Sequence, residues 1–235
     1  MEIGEFIQEM ERLASPDLAD EMDEGRIGLI VEGKQQIKNI CCALDATPEV
    51  VRRSVESGAD MLVVHHTPIW NPITAIRDPL ASLLREAMAS GLNIYVMHTN
   101  FDRAASGVND TVADMLGLTG CTAMSLGIAG DCGLSLEEIS RRLSCPLRAW
   151  GDIVPPFRLA VVGGSGFYPD LIEEARALSC KAFLSAELKH SVMRQSPLVL
   201  IEATHYALEA PAMRVLAERY GWQYIDDRPF LKIWT

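Results

Sequence analysis

The sequence predicts an α/β protein in two lobes, each a mixed sheet covered by helices. Three observations carry this. From residue 40 onward, short apolar runs of strand length alternate with segments of helical periodicity. The alternation has the pitch of crossover connections between parallel neighbours. It weakens over residues 119–156 and then starts again, which divides the chain into an expected first lobe over 1–125 and a second over 126–235.

The elements follow in order. Ile3, Phe6, Ile7, Met10 and Leu13 recur at helical spacing, and Ser15-Pro16 ends that helix. Residues 17–26 are acidic and polar and read as a loop, followed by a short strand over IGLIVEG. NICCALDAT is a strand ending in polar residues. Thr47 is placed to cap the next helix, with Pro48 at its first position. ADMLVVHH is a buried strand, PLASLLREAMASG a helix with a glycine stop, LNIYVMHTNFD a strand with polar groups at its exit, and GVNDTVADMLGL a short helix.

The glycine- and proline-bearing stretch 119–156 is read as the connection between lobes, with one helix, SLEEISRRL, capped by Ser135 and Glu138. Strands over FRLAVVGGSG, CKAFLSAEL and SPLVLIEATH then alternate with helices over PDLIEEARALS and LEAPAMRVLAERYG, and FLKIW is the expected last strand.

The chain has 235 residues, with 32 acidic residues against 21 Lys plus Arg, a formal charge of −11. That balance disfavours a broad phosphate-backbone binding face, so no direct nucleic-acid binding is expected, although a local pocket can still take a small anion. The six cysteines form no CxxC pair and read as small buried hydrophobes in a reducing compartment. The opening MEIGEFIQEMERLASP is unlike a signal peptide, and no apolar run reaches membrane-spanning length, so the cytoplasm is the expected location.

Metal-type residues gather at strand exits. His65-His66 ends one strand, His98 and Asp102 follow the next, and His205 follows a third with Glu209 four residues on. Ligands of open α/β sheets bind beyond the carboxyl ends of strands, so three segments are able to converge on one pocket. Imidazoles and carboxylates together suit divalent ions, and two ions clamp a nucleophile and a leaving oxygen. A turn after His66 lets both adjacent histidines reach one pocket. Gly163-Gly164-Ser165-Gly166 follows a strand and reads either as a tight turn or as backbone N–H groups offered to an anion.

These stretches resemble the NIF3-like (DUF34) family, whose members are also described as type 2 homologues of GTP cyclohydrolase 1. The matching segments are LDATPEVVRRSVESGADMLVVHHTPIW, HTNFDRAASGVNDTVADMLGL, VVGGSGFYPDLIEEARALSCKAFLSAELKH and THYALEAPAMRVLAERYG. The resemblance implies two related lobes facing a dinuclear metal cleft. It implies His65, His66, Asp102, His205 and Glu209 as metal ligands, with Asp102 bridging. It further implies two divalent ions per subunit (zinc, iron, manganese or nickel), a small-molecule substrate and a toroidal homohexamer. The length fits the short form without a middle inserted domain.

The expected activity is that of a dinuclear metal-dependent hydrolase, cyclohydrolase-like toward GTP. A phosphoesterase, or a non-catalytic metal-handling or regulatory protein, is the alternative. His98, Glu187 and His190 are the candidate proton carriers, and His98 is also placed to orient Asp102. The chain departs from the family at Met22–Leu29, where a Trp-Asp-Asn-Val-Gly-Leu pattern is common. Asp23 and Gly28-Leu29 are kept, the Trp and Asn are lost, and residues are gained.

Overall fold

The computed structural model describes residues 1–232. They fall into two compact units, residues 1–104 with 213–232, and Ala105–Ala212.

The first unit contains α1 (Ile3–Leu13), β1 (Gly28–Val31), β2 (Ile40–Asp45), α2 (Pro48–Glu56), β3 (Met61–His66), α3 (Leu80–Ser90), β4 (Asn93–Val96) and α4 (Thr99–Arg103). The second contains α5 (Val108–Leu116), β5 (Thr119–Ala123), β6 (Ile128–Cys132), α6 (Leu136–Leu143), β7 (Arg148–Trp150), β8 (Phe157–Val161), α7 (Pro169–Ala177), β9 (Ala182–Ser185), α8 (His190–Gln195) and β10 (Val199–Glu202). The helix α9 (His205–Tyr220) spans the division at Met213, and β11 (Gln223–Tyr224) closes the set.

The first sheet has the order β1-β4-β3-β2-β11, with β1 antiparallel to β4 and the other pairs parallel. Its three central strands carry Cys42, Val63 and Val64, Ile94 and Val96, all buried. Such near-continuous apolar runs mark parallel strands covered on both faces. Each fully buried Val, Leu or Ile contributes about 1.5–3 kcal/mol. On α1 the predicted stripe buries Phe6 and Met10, and Phe6 meets Tyr95 of β4 edge-to-face at 5.6 Å. Thr47 caps α2 as expected, its side chain accepting from the Val50 amide, and α3 stops at Gly91 in a left-handed conformation.

The second sheet has the order β5-β6-β8-β9-β10-β7, with β8, β9 and β10 mutually parallel and the remaining pairs antiparallel. Stretch 119–156 is therefore not a connector, since it supplies β5, β6 and β7 to this sheet. These strands are short, and two lie at the edges, where one-sided burial leaves no apolar run to read. The Ser135–Glu138 capping box of α6 forms as expected.

Five cysteines are buried, but Cys121 is exposed: it lies on edge strand β5, all of whose residues face solvent. Residues 230–232 of the expected last strand form no strand, and the rest of it lies outside the described residues; the last strand among the described residues is β11. No helix among the described residues is long and apolar enough to cross a membrane.

Candidate metal centre

In the first unit, β2, β3 and β4 run parallel, so their carboxyl ends share one edge of the sheet. His65 and His66 end β3. After β4 the chain passes through Met97 and His98 into α4, which places Asp102 one turn further on. His98 takes an irregular backbone conformation, and its amide donates to Asn100 Oδ1 at 2.8 Å.

Each of these three imidazoles is held at Nδ1 by an oxygen. His65 Nδ1 lies 2.8 Å from the Met97 carbonyl, His66 Nδ1 2.7 Å from Asp45 Oδ1, and His98 Nδ1 2.8 Å from Asp23 Oδ1. A carbonyl or carboxylate only accepts, so Nδ1 carries the proton and Nε2 is the basic nitrogen. The two nitrogens lie on opposite sides of the ring, so fixing one fixes the aim of the other.

His65 is fully buried, and its Nε2 lies 3.5 Å from Asp102 Oδ1. The rings of His65 and His66, adjacent at the end of β3, are 4.9 Å apart and tilted by 55°. His65, His66 and His98 each offer a nitrogen within 4.8 Å of the others.

Asp23 is completely buried on the far side of His98. Burial pushes its carboxyl up, but hydrogen bonds from His98 and Thr99 and the His98 charge together hold it below the usual carboxylate range.

In the second unit, α9 opens at His205, so His205 and Glu209 share one helix face. His205 Nε2 lies 2.9 Å from Glu209 Oε2, with Glu209 buried. Here too an oxygen holds Nδ1: Glu187 Oε1 is 2.8 Å away. Glu187 leaves β9 with φ +63°, a left-handed conformation rare outside glycine. His190 opens α8, exposed, and joins none of the donor groups.

The glycine turn after β8 packs on the same helix. A Cβ on Gly164 would lie 2.1 Å from Glu209 Oε1, so only a glycine backbone fits beside that carboxylate. The Gly163 amide donates to Asn109 Oδ1 and the Gly166 amide to Ser185 Oγ, each at 2.8 Å. These amides serve the protein itself, which favours the tight-turn reading.

Asp45 was not singled out from the sequence, although it stands at a strand exit like His66. Asp23 stands out in the sequence only as a residue kept from the family pattern, with no sign there of its contact with His98.

The match to known families covers residues 1–225, under the description Duf34/NIF3 (NGG1p interacting factor 3). The chain belongs to the DUF34/NIF3 family. Among NIF3 relatives, a GTP cyclohydrolase 1 type 2 homolog of Deinococcus radiodurans is 30% identical over 224 residues, covering 85% of this chain and 84% of its own. Another, of Pyrococcus horikoshii, is 30% identical over 231 residues, covering 87% and 90%. Reduced HcgD from Methanocaldococcus jannaschii has a similar solved structure, with a TM-score of 0.83 and 27% identity over 95% of this chain and 96% of that one. Within this NIF3 framework the imidazole and carboxylate groups have the composition of divalent-metal donors.

Proposed function

We propose that this NIF3-family protein is a metal-dependent hydrolase. His65, His66, Asp102, His205 and Glu209 would hold two divalent ions. The observation that carries this reading is the uniform anchoring of Nδ1 on His65, His66, His98 and His205 by protein oxygens. Imidazoles that only fill a core do not need four matched acceptors, whereas metal-binding imidazoles need their rings fixed and their basicity raised. The backbone closure of Gly164 over Glu209 fits a carboxylate with one allowed position.

When bound, such ions supply a nucleophilic water at neutral pH and neutralise charge on the leaving oxygen. The chain supplies the rest. His98, its Nδ1 proton fixed on Asp23, takes and returns a proton at Nε2. Glu187 orients His205, and His190, exposed near the start of α8, exchanges protons with solvent. Zinc, iron, manganese and nickel all suit these donors. The descriptions of the relatives suggest opening of the GTP purine ring, and phosphoester hydrolysis uses the same groups.

Protein loaded to two ions per chain, verified by elemental analysis, is to be incubated with GTP and with simple phosphomonoesters. Turnover of either that disappears in His65→Ala and Asp102→Ala supports the proposal. No turnover of any of them at full loading refutes hydrolysis and leaves metal handling. Sedimentation of the same samples tests the expected homohexamer.

A further inference from the structure

We propose that Arg26, clamped against Trp70, is an anion-recognition residue that grips the phosphoryl group of a small-molecule ligand beside the imidazole cluster. The location rests on the proposed metal site; the test does not.

The guanidinium of Arg26 lies over the Trp70 ring, 5.2 Å from its centroid. The same ring meets His98 edge-on, with centroids 5.4 Å apart. One aromatic side chain thus joins the cation to the imidazole group. Trp70 remains 39% exposed, so this arrangement opens to solvent.

Arg26 is fixed by neutral groups. Its Nε donates to the Trp70 carbonyl and a terminal nitrogen donates to the Met22 carbonyl. Its own amide donates to the Asp23 carbonyl at 2.8 Å. Arg52, Arg103, Arg148, Arg158 and Arg176 each pair with a carboxylate, but among the described residues no carboxylate pairs with Arg26. Its charge is therefore held in place without being neutralised, in a chain of net charge −11. An arginine already ordered by carbonyls and an aromatic face gives up little entropy on meeting an anion.

The loop that carries Arg26 also carries Asp23, which holds His98 at 2.8 Å. Residues three apart in one turn therefore orient an imidazole of the cluster and position the cation. Arg26 lies in the segment that departs from the family pattern, whereas Trp70 ends the HHTPIW stretch that matches it.

The count of acceptor oxygens is the ground for proposing phosphoryl over carboxylate. A guanidinium fork takes two oxygens, and a carboxylate has no third, whereas a phosphoryl group keeps one for the donor side.

Calorimetric titration of inorganic phosphate, with acetate as the carboxylate arm, tests this on metal-stripped and metal-loaded protein. Arg26→Gln is expected to weaken phosphate binding at least tenfold in both states, with Arg26→Lys between the two. Metal content and melting temperature should match wild type, and acetate should bind more weakly than phosphate throughout. Equal phosphate affinity in wild type and Arg26→Gln overturns the proposal, as does acetate binding as tightly as phosphate, or no phosphate binding by wild type in either state. If wild type takes up no metal, the hydrolase proposal fails, while the Arg26 dependence on stripped protein still decides this one.

Discussion

Asp45 and His66 are register partners at the carboxyl ends of adjacent parallel strands, and their side chains meet at 2.7 Å between Oδ1 and Nδ1. The sheet itself thus aims an imidazole. Asp45→Ala is expected to weaken metal binding about 10–100-fold, the usual effect of removing a carboxylate that orients a metal-binding histidine. Asp45→Asn keeps an acceptor oxygen and should lose less. The Asp45 side chain is 37% exposed, so the fold should survive either change. A chelator-competition titration reads the affinities, and unchanged affinity in Asp45→Ala would show that His66 needs no such support.

Gly164 has φ +60° and faces Glu209 at a distance that leaves no room for a methyl group. Gly58 has φ +74° with open space around the corresponding position. Both alanine variants carry the left-handed backbone penalty of about 1–2 kcal/mol. Only Gly164→Ala must also displace a buried carboxylate. Urea unfolding should therefore show the larger loss for Gly164→Ala, and metal affinity should fall in that variant alone. Equal losses with equal metal affinity would mean that Glu209 moves aside without cost.

Asp60, buried where the chain enters β3, accepts from Lys34 Nζ at 2.8 Å and from the Lys38 and Asn39 amides at 3.0 and 3.1 Å. Burial raises its pKa, but the hydrogen bond from Lys34, the two amides and the Lys34 charge outweigh that and leave it below the ordinary 3.8. A carboxyl depressed in the folded state adds stability that is fully present above its unfolded pKa. That stability is lost as pH falls through the folded value. Acid unfolding should therefore draw on Asp60 below about pH 4. Asp60→Asn should lower stability at pH 7 and flatten the acid limb of the stability profile measured by urea titration at stepped pH. An acid limb as steep as wild type would assign the loss to other carboxylates.

Much of this arrangement is legible before folding because the central strands are continuous apolar runs that stop at polar residues. Val63, Val64, His65 and His66 announce both a buried strand and the imidazoles at its exit. The capping residues Thr47 and Ser135 are equally local signals, and both cap as read. What stayed hidden depends on partners distant in sequence. The edge strands β5 and β7 bury too little on one face to show a period, the inner strand β6 is short and carries Gly130 and Asp131, and β11 is two residues long and exists because it pairs with β2. The acceptors follow the same rule. Asp45 becomes informative only once its strand is set in register with that of His66, and Asp23 only once its loop reaches His98.

Glu187 shows how a strained backbone serves a distant side chain. It holds His205 at 2.8 Å from a left-handed conformation, φ +63°, that most residues avoid. Glu187→Gly and Glu187→Ala both remove the carboxylate, so both should lose His205 orientation and weaken metal binding about 10–100-fold. They differ only in the backbone. Glycine adopts this conformation freely, whereas alanine keeps its Cβ against the carbonyl, so Glu187→Gly should be more stable than Glu187→Ala by about 1 kcal/mol. Parallel urea unfolding and metal titration separate the two effects. If the variants match in stability, the backbone at 187 relaxes without the side chain. If they match wild type in metal affinity, Glu187 does not orient His205. A carboxylate kept where glycine suits the backbone better is the pattern expected when the side chain's contact outweighs the local strain.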